Sequence, residues 1–112
     1  MTEYVLKIES PKEIFSEITN LLEIEPSRSK HSWEFSIKED DNLYNHAIEH
    51  LISIIKGKKT QLERIGINSS DISIWFYKPY SGQCNMEFTP VEMKELSNNN
   101  ITLCISCWEE ND

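Results

Sequence analysis

The stretch ISIWFY, residues 72–77, alternates its side chains with a period of two. Successive side chains of a β-strand point to opposite faces of a sheet. The two isoleucines and Phe76 therefore share one face, while Trp75 and Tyr77 share the other. This stretch predicts a strand with one apolar, buried face and a second face that carries large aromatic side chains.

Four other segments alternate in the same way, which is typical of half-buried strands. In each of them every second residue is apolar, so one side of the strand is suited to a core. Together with ISIWFY they predict a sheet of five strands. The four segments are residues 4–8, 33–37, 84–88 and 101–107.

Helix signals lie between these strands. Residues 10–13 (Ser-Pro-Lys-Glu) and 89–92 (Thr-Pro-Val-Glu) both match a capping box with proline at the first helical position. A middle helix is predicted from Asp41 or Asn42 to Gly57, and a short one from Thr60 to Gly66. Residues 78–83 contain proline and glycine, and predict a turn that joins the third and fourth strands as a hairpin.

The predicted order is β-α-β-α-(α)-β-β-α-β in a single α+β domain, residues 1–112. The strand–helix–strand units at residues 3–37 and 84–108 look like two related halves. Such units favour a two-layer sandwich of ferredoxin-like type. We therefore expect helices on one face of a mainly antiparallel five-stranded sheet.

The charge of the chain limits its partners. The 112 residues include 19 acidic and 11 basic side chains, for a formal net charge of −8. An acidic surface repels nucleic acid and anionic lipid, so neither is expected as a partner. The first ten residues have neither the basic nor the apolar region of a signal peptide. Three cysteines without such a signal indicate reduced thiols, and we expect a cytoplasmic protein.

Residues 46–50 (HAIEH) match the zinc-binding pattern H-x-x-E-H, in which His46 and His50 bind the metal and Glu49 is the general base. Tyr44 and Ile48 belong to the apolar stripe of this helix, whereas the two histidines point away from it. A solvated pair has no dry cleft in which to activate water. We expect no metal, no cofactor and no enzymatic activity, and a metal-dependent hydrolase is the most remote alternative.

Two other motifs have structural explanations. Cys104 and Cys107 form a C-x-x-C pattern, but residues three apart on a strand face opposite sides of the sheet. Cys107 is expected in the core and Cys104 on the other face, so the two thiols cannot bridge or chelate together. Arg28 and Lys30, in the loop after Pro26, are a candidate anion-binding corner, although solvated loop charge is the stronger explanation.

Several segments carry a resemblance to a known family: residues 22–28 (LEIEPSR), 32–35 (SWEF), 50–52 (HLI), 88–90 (FTP), Leu96 and 101–106 (ITLCIS). Together they resemble a bacterial family known as domain of unknown function 4279. The resemblance is one of hydrophobic pattern and covers nearly the whole chain. It implies a small stand-alone bacterial protein and brings no established activity or site residues. Similar families include immunity proteins of toxin systems, which implies a protein-binding role.

The second face of the sheet is the strongest candidate site. Trp75, Tyr77 and Trp108 share it, and exposed aromatic side chains are frequent at protein interfaces. The alternative is that the middle segment or residues 78–83 cover them. The sequence thus predicts a non-enzymatic protein-binding module, most concretely an immunity-type neutraliser of a basic toxin. The other candidate is a ferredoxin-like homodimer that senses a small molecule.

Overall fold

The computed structural model describes residues 1–110, which contain four strands, four helices and three short 3₁₀ turns. The strands are β1 (Glu3–Ile8), β2 (Trp33–Lys38), β3 (Ile72–Tyr80) and β4 (Thr102–Glu109). The helices are α1 (Phe15–Leu22), α2 (Ala47–Ile55), α3 (Lys59–Arg64) and α4 (Pro90–Asn98). The 3₁₀ turns are Lys12–Ile14, Tyr44–His46 and Ser69–Asp71.

The four strands form one mixed sheet in the order β2-β1-β3-β4. β1 pairs antiparallel with both of its neighbours, so that Leu6 lies between Phe35 of β2 and Ile74 of β3. β3 and β4 pair in parallel, with Ile74 beside Leu103. β2 and β4 are therefore the two edge strands.

The predicted fifth strand is wrong, because residues 84–88 have no regular secondary structure. β3 continues to Tyr80 instead of ending in a hairpin, and β1 and β4 occupy its two sides. A further strand would find no free edge beside it. The apolar residues of this segment, Cys84, Met86 and Phe88, are nonetheless half-buried. Phe88 packs edge-on against Phe76, with the ring centroids 6.0 Å apart.

The mainly antiparallel, ferredoxin-like arrangement is wrong as well, and the two strand–helix–strand units are not related halves. After α1, the connection from Glu23 to Ser32 returns the chain to the end of β1, and β2 runs antiparallel to it. After α4, residues 99–101 bring the chain to the start of β3, and β4 runs parallel to it. The length and path of the connection, rather than the helix itself, set the strand direction.

The helices cover the sheet face that carries Leu6, Ile8 and Ile74, all of them 0% exposed. Trp33 of β2 is also fully buried there, and its indole Nε1–H donates a hydrogen bond to Thr19 Oγ1 of α1 at 3.0 Å. Complete burial of one such aliphatic side chain stabilises the fold by about 1.5–3 kcal/mol. The helical part of this core is formed by Ile18, Leu22, Ala47, Ile48, Leu51, Ile52, Ile55, Leu62 and Leu96.

The two proline-containing capping boxes have different outcomes. The Thr89 box is confirmed: the Thr89 hydroxyl accepts from the Glu92 amide, and the Glu92 carboxylate accepts from the Thr89 amide. The Ser10 box is wrong, because the Ser10 hydroxyl donates to the Pro11 carbonyl and a 3₁₀ turn precedes α1. α2 also begins later than predicted, at Ala47.

Candidate functional site

The sheet face opposite the helices is called the open face here. It consists of alternate residues from all four strands, and its parity matches the prediction made from ISIWFY. Within residues 1–110, all helix residues of the core cluster pack on the other side. The open face comprises Glu3, Val5, Lys7, Glu34, Ser36, Lys38, Ser73, Trp75, Tyr77, Pro79, Thr102, Cys104, Ser106 and Trp108.

Trp75 and Tyr77 form an aromatic pair near the centre of the open face. Their rings are stacked, with centroids 5.7 Å apart and planes inclined by 11°. The Lys7 ammonium lies 5.3 Å from the centroid of the Trp75 ring, which is a cation–π geometry. The Trp75 indole N–H donates to Ser73 Oγ at 3.0 Å. Both aromatic residues are half-buried, so part of each ring is accessible to solvent.

Trp108 lies apart from this pair, at the edge of the same face. It is on β4, in register with Pro79 of β3, two residues beyond Tyr77. Its side chain belongs to the most exposed large apolar groups of the described chain, with 44% of its surface accessible. The sequence prediction therefore places all three aromatics on one face correctly, but only Trp75 and Tyr77 are in contact.

Arg28 links β1 and β2 on the open face through two ion pairs. Its guanidinium donates to the carboxylates of Glu34 and Glu3, with both N···O distances 2.7 Å. Burial lowers the pKa of Arg28, but the hydrogen bonds to Glu3 and Glu34 outweigh this and raise it above its ordinary value. These two carboxylates compensate the positive charge of Arg28 and would repel an anion. The anion-binding role of Arg28 and Lys30 stays a prediction, and this geometry does not favour it.

The charges of the open face balance one another. Glu3 and Glu34 both form ion pairs with Arg28. Lys7 forms an ion pair with Glu9, with an N···O distance of 3.5 Å. Burial raises the pKa of the nearby Tyr77 phenol, an effect that Lys7 and Arg28 reduce and that Glu34 and Glu3 reinforce. The acidic excess of the chain therefore lies outside the centre of this face.

Two acidic runs flank the end of the sheet where Trp108 lies. One register row contains Lys38, Glu3, Tyr77 and Ser106. The exposed run at residues 39–41 follows Lys38, and Glu109 and Glu110 follow Trp108. Both runs thus lie at the same end of the sheet, one beside each edge strand, and the run at 109–110 directly follows the exposed indole.

The H-x-x-E-H motif spans the start of α2. His46 belongs to the 3₁₀ turn before the helix, and its side chain is 76% exposed. Its Nδ1 atom lies 3.9 Å from a Glu49 carboxylate oxygen. Across residues 1–110, no group of three or more His, Cys, Asp and Glu side chains is placed to hold a metal ion. The motif brings no third ligand to the two histidines.

The cysteine parity is confirmed, but one predicted environment is wrong. Cys104 lies half-buried on the open face and Cys107 lies on the opposite face, as expected. Cys107 is exposed rather than in the core. The cause is that β4 extends beyond the helical layer, so Ile105 on the same face is also 45% exposed. The described chain contains no disulfide, and Cys84 is free and half-buried.

Two features of this surface were not predicted from the sequence. Lys7 and the Arg28–Glu3–Glu34 cluster lie beside the aromatic pair because β1 stands between β2 and β3. Parity alone could have assigned Glu3, Lys7 and Glu34 to the face of Trp75. Their proximity needed the strand order, which local alternation does not contain.

Concave features lie elsewhere on the molecule. One shallow depression of about 240 Å³ is lined by Thr19 and Asn20 of α1 and by Glu23–Glu25 after it. A second, of about 310 Å³, is formed by Asn85–Glu87. Neither includes a residue of the open face. Among the helices of the described chain, none has both the length and the apolar character that crossing a membrane requires.

Comparison with known proteins returned no relatives. No model of a protein family matches the chain, and no curated protein and no solved structure is significantly similar to it. The resemblance to domain of unknown function 4279 therefore stays a prediction.

Proposed function

We propose that this chain is a small protein-binding module of the cytoplasm that docks its partner on the open face. The observation that carries the proposal is the partial exposure of Trp75, Tyr77 and Trp108 on the face without helices. Rigid aromatic side chains with few rotatable bonds are the usual anchors of protein interfaces. The proposal assigns the protein no catalytic role.

The charges around this face favour a basic partner. Arg28 and Lys7 form ion pairs near the aromatic pair, so a partner can cover this part of the face without leaving those two charges unpaired. The acidic runs at 39–41 and 109–110 lie around its end. Charge of this kind accelerates encounter with a cationic protein. An immunity-type neutraliser of a basic toxin is the most concrete form of the proposal.

The sensor alternative loses its structural basis. A small-molecule-sensing dimer was expected because of a ferredoxin-like sheet, and the strand order β2-β1-β3-β4 is not that sheet. We therefore do not propose it.

The proposal is tested with the product of the gene adjacent to the one encoding this chain. We expect the two purified proteins to bind, and the association rate to fall as salt is added. Trp108→Ala removes a proposed anchor, and loss of about 2 kcal/mol would weaken binding about thirtyfold. Titration calorimetry measures the affinities, and stopped-flow fluorescence measures the association rate.

Val91→Ala is the matched control, since Val91 is 58% exposed on α4, on the side of the helices. It should leave the affinity unchanged. Equal affinity of wild type and Trp108→Ala would exclude Trp108 as an anchor. Absence of binding to the neighbouring product would remove the immunity-type version of the proposal.

A further inference from the structure

The two edges of the sheet differ in how their backbone groups are used. The outer edge of β2 is covered by the loop before it. The amides of Ser27 and Arg28 donate to the Glu34 carbonyl at 2.7 and 3.2 Å, and the Glu34 amide donates back to Arg28 at 3.0 Å. The Ser36 amide donates to Ser27 Oγ at 3.0 Å. This loop occupies the positions where another strand would pair.

The outer edge of β4 has no such cover. The Glu110 amide donates to the Tyr80 carbonyl at 2.7 Å, on the side of β3. Backbone groups of a strand alternate between its two sides, so residues 103, 105, 107 and 109 direct their N–H and C=O groups outward. Within the part of the chain that the structure describes, no hydrogen bond from another segment reaches these groups.

Exposed apolar side chains mark the same edge on both faces of the sheet. Ile105 is 45% exposed on the helix side, and Trp108 is 44% exposed on the open face. A molecule that docked on either face would cover only one of them. A strand added beside β4 covers both, because its own side chains alternate between the two faces.

The sequence of β4 lacks the usual protection of an edge strand. Natural edges are guarded by charged residues, proline or bulges that prevent pairing with another chain. Residues 101–108 (ITLCISCW) contain neither a charge nor a proline. β2, the other edge, carries Glu34 and Lys38 in addition to its covering loop.

We propose that β4 pairs antiparallel with β4 of a second copy, around a twofold axis at Ile105. This register pairs the uncharged stretch of β4 with the same stretch of the second copy. Ile105 faces its equivalent, Leu103 faces Cys107 of the second copy, and Cys104 faces Ser106. The two four-stranded sheets become one sheet of eight strands, with both helical layers on the same side. The proposal shares Trp108 with the docking role of the open face, and substitution of Ile105 separates the two because Ile105 lies on the helix-covered face.

Charge favours the antiparallel over the parallel arrangement of two copies of this acidic chain. Glu109 and Glu110 end the strand, so the twofold axis sends the two acidic ends in opposite directions. The two Glu109 residues lie about 27 Å apart along the strands, at about 3.4 Å per residue. This exceeds the screening length of about 8 Å at physiological ionic strength. A parallel pair would instead place these carboxylates side by side.

The first test measures the mass of the protein by sedimentation equilibrium across the micromolar range. We expect a monomer–dimer equilibrium in the wild type. Ile105→Lys places a charge at the twofold axis and should leave only monomer. Val91→Lys makes the same kind of change at an exposed site of α4 and should dimerise as the wild type does. Circular dichroism confirms that both variants fold.

The second test examines the register. In a Cys84→Ser/Cys107→Ser background, Ser106→Cys places a new thiol opposite Cys104 of the second copy. These residues form a non-hydrogen-bonded pair, whose Cα separation of about 4.5 Å lies within disulfide range. Mild oxidation should give a covalent dimer on a denaturing gel, and adding Ile105→Lys should prevent it.

The outcomes separate as follows. A monomer at every concentration overturns the proposal, and so does a dimer that Ile105→Lys leaves intact. A dimer that depends on Ile105 but gives no crosslink between residues 104 and 106 overturns the proposed register.

Discussion

The two faces of the sheet differ in the composition and in the burial of their side chains. The helix-covered face carries apolar side chains such as Leu6 and Ile74, and Trp33 is completely buried on it. The open face combines ion pairs with aromatic rings that the sheet only half buries. Both faces belong to the same strands and differ only in the parity of their residues. Stability therefore depends mainly on one parity, and the other is free to carry a recognition surface.

The largest expected effect compares two tryptophans, one from each face. Trp33→Ala opens a cavity in the core and should lower the free energy of unfolding by about 3–5 kcal/mol. Trp108→Ala makes the same chemical change at an exposed position and should cost less than about 1 kcal/mol. Urea denaturation measures both. Equal losses would mean that the open face contributes to stability as much as the core does.

A smaller effect concerns the one hydrogen bond of the Trp33 indole. Thr19→Val removes the hydroxyl that accepts from Nε1 and leaves a buried donor without a partner. The expected loss in the free energy of unfolding is about 1–3 kcal/mol. Thr19→Ser retains the acceptor and should be close to wild type. If Thr19→Ser, which keeps the acceptor and loses only a methyl group, is destabilised as much as Thr19→Val, the hydrogen bond does not account for the loss.

The smallest effect appears only in alkali and compares two tyrosines. Burial, with Tyr44 and Glu92 nearby, raises the pKa of Tyr4 to about 12, from 10.0 in a free side chain. The unfolded chain therefore releases this proton first, and stability falls as pH rises from about 10 to 12. One such group contributes a slope of at most about 1.4 kcal/mol per pH unit.

Tyr4→Phe should flatten this slope in urea denaturation measured at successive pH values. Tyr77→Phe, on the open face, should flatten it less, because Lys7 and Arg28 stabilise its phenolate. A larger change for Tyr77 than for Tyr4 would contradict the assignment of the more protected environment to the helix-covered face.

Local sequence pattern predicted the side of the sheet on which most side chains lie. The alternation in ISIWFY separated Ile74 from Trp75 and Tyr77, and the same rule separated Cys104 from Cys107. The capping box at Thr89 was also predicted correctly, because such a box is complete within four residues. These features succeed for a common reason: each depends only on neighbours a few residues away.

Strand pairing could not be predicted from the local sequence pattern. Residues 84–88 alternate as a strand does, yet β3 has no free side for them. The parallel pairing of β4 and the antiparallel pairing of β2 depend on where each connection returns the chain. The exposure of Cys107 was missed because strand parity gives the face but not how far the helices extend over it. The Arg28 cluster likewise depends on contacts between residues 25 positions apart in the chain.

The loop that covers β2 has a consequence for assembly. A sheet with two bare edges can recruit copies on both sides and grow into an endless ribbon. Because Ser27 and Arg28 cap one margin of this sheet, each molecule has a single margin left for joining. The proposed association through β4 would therefore end with two molecules instead of continuing into a ribbon.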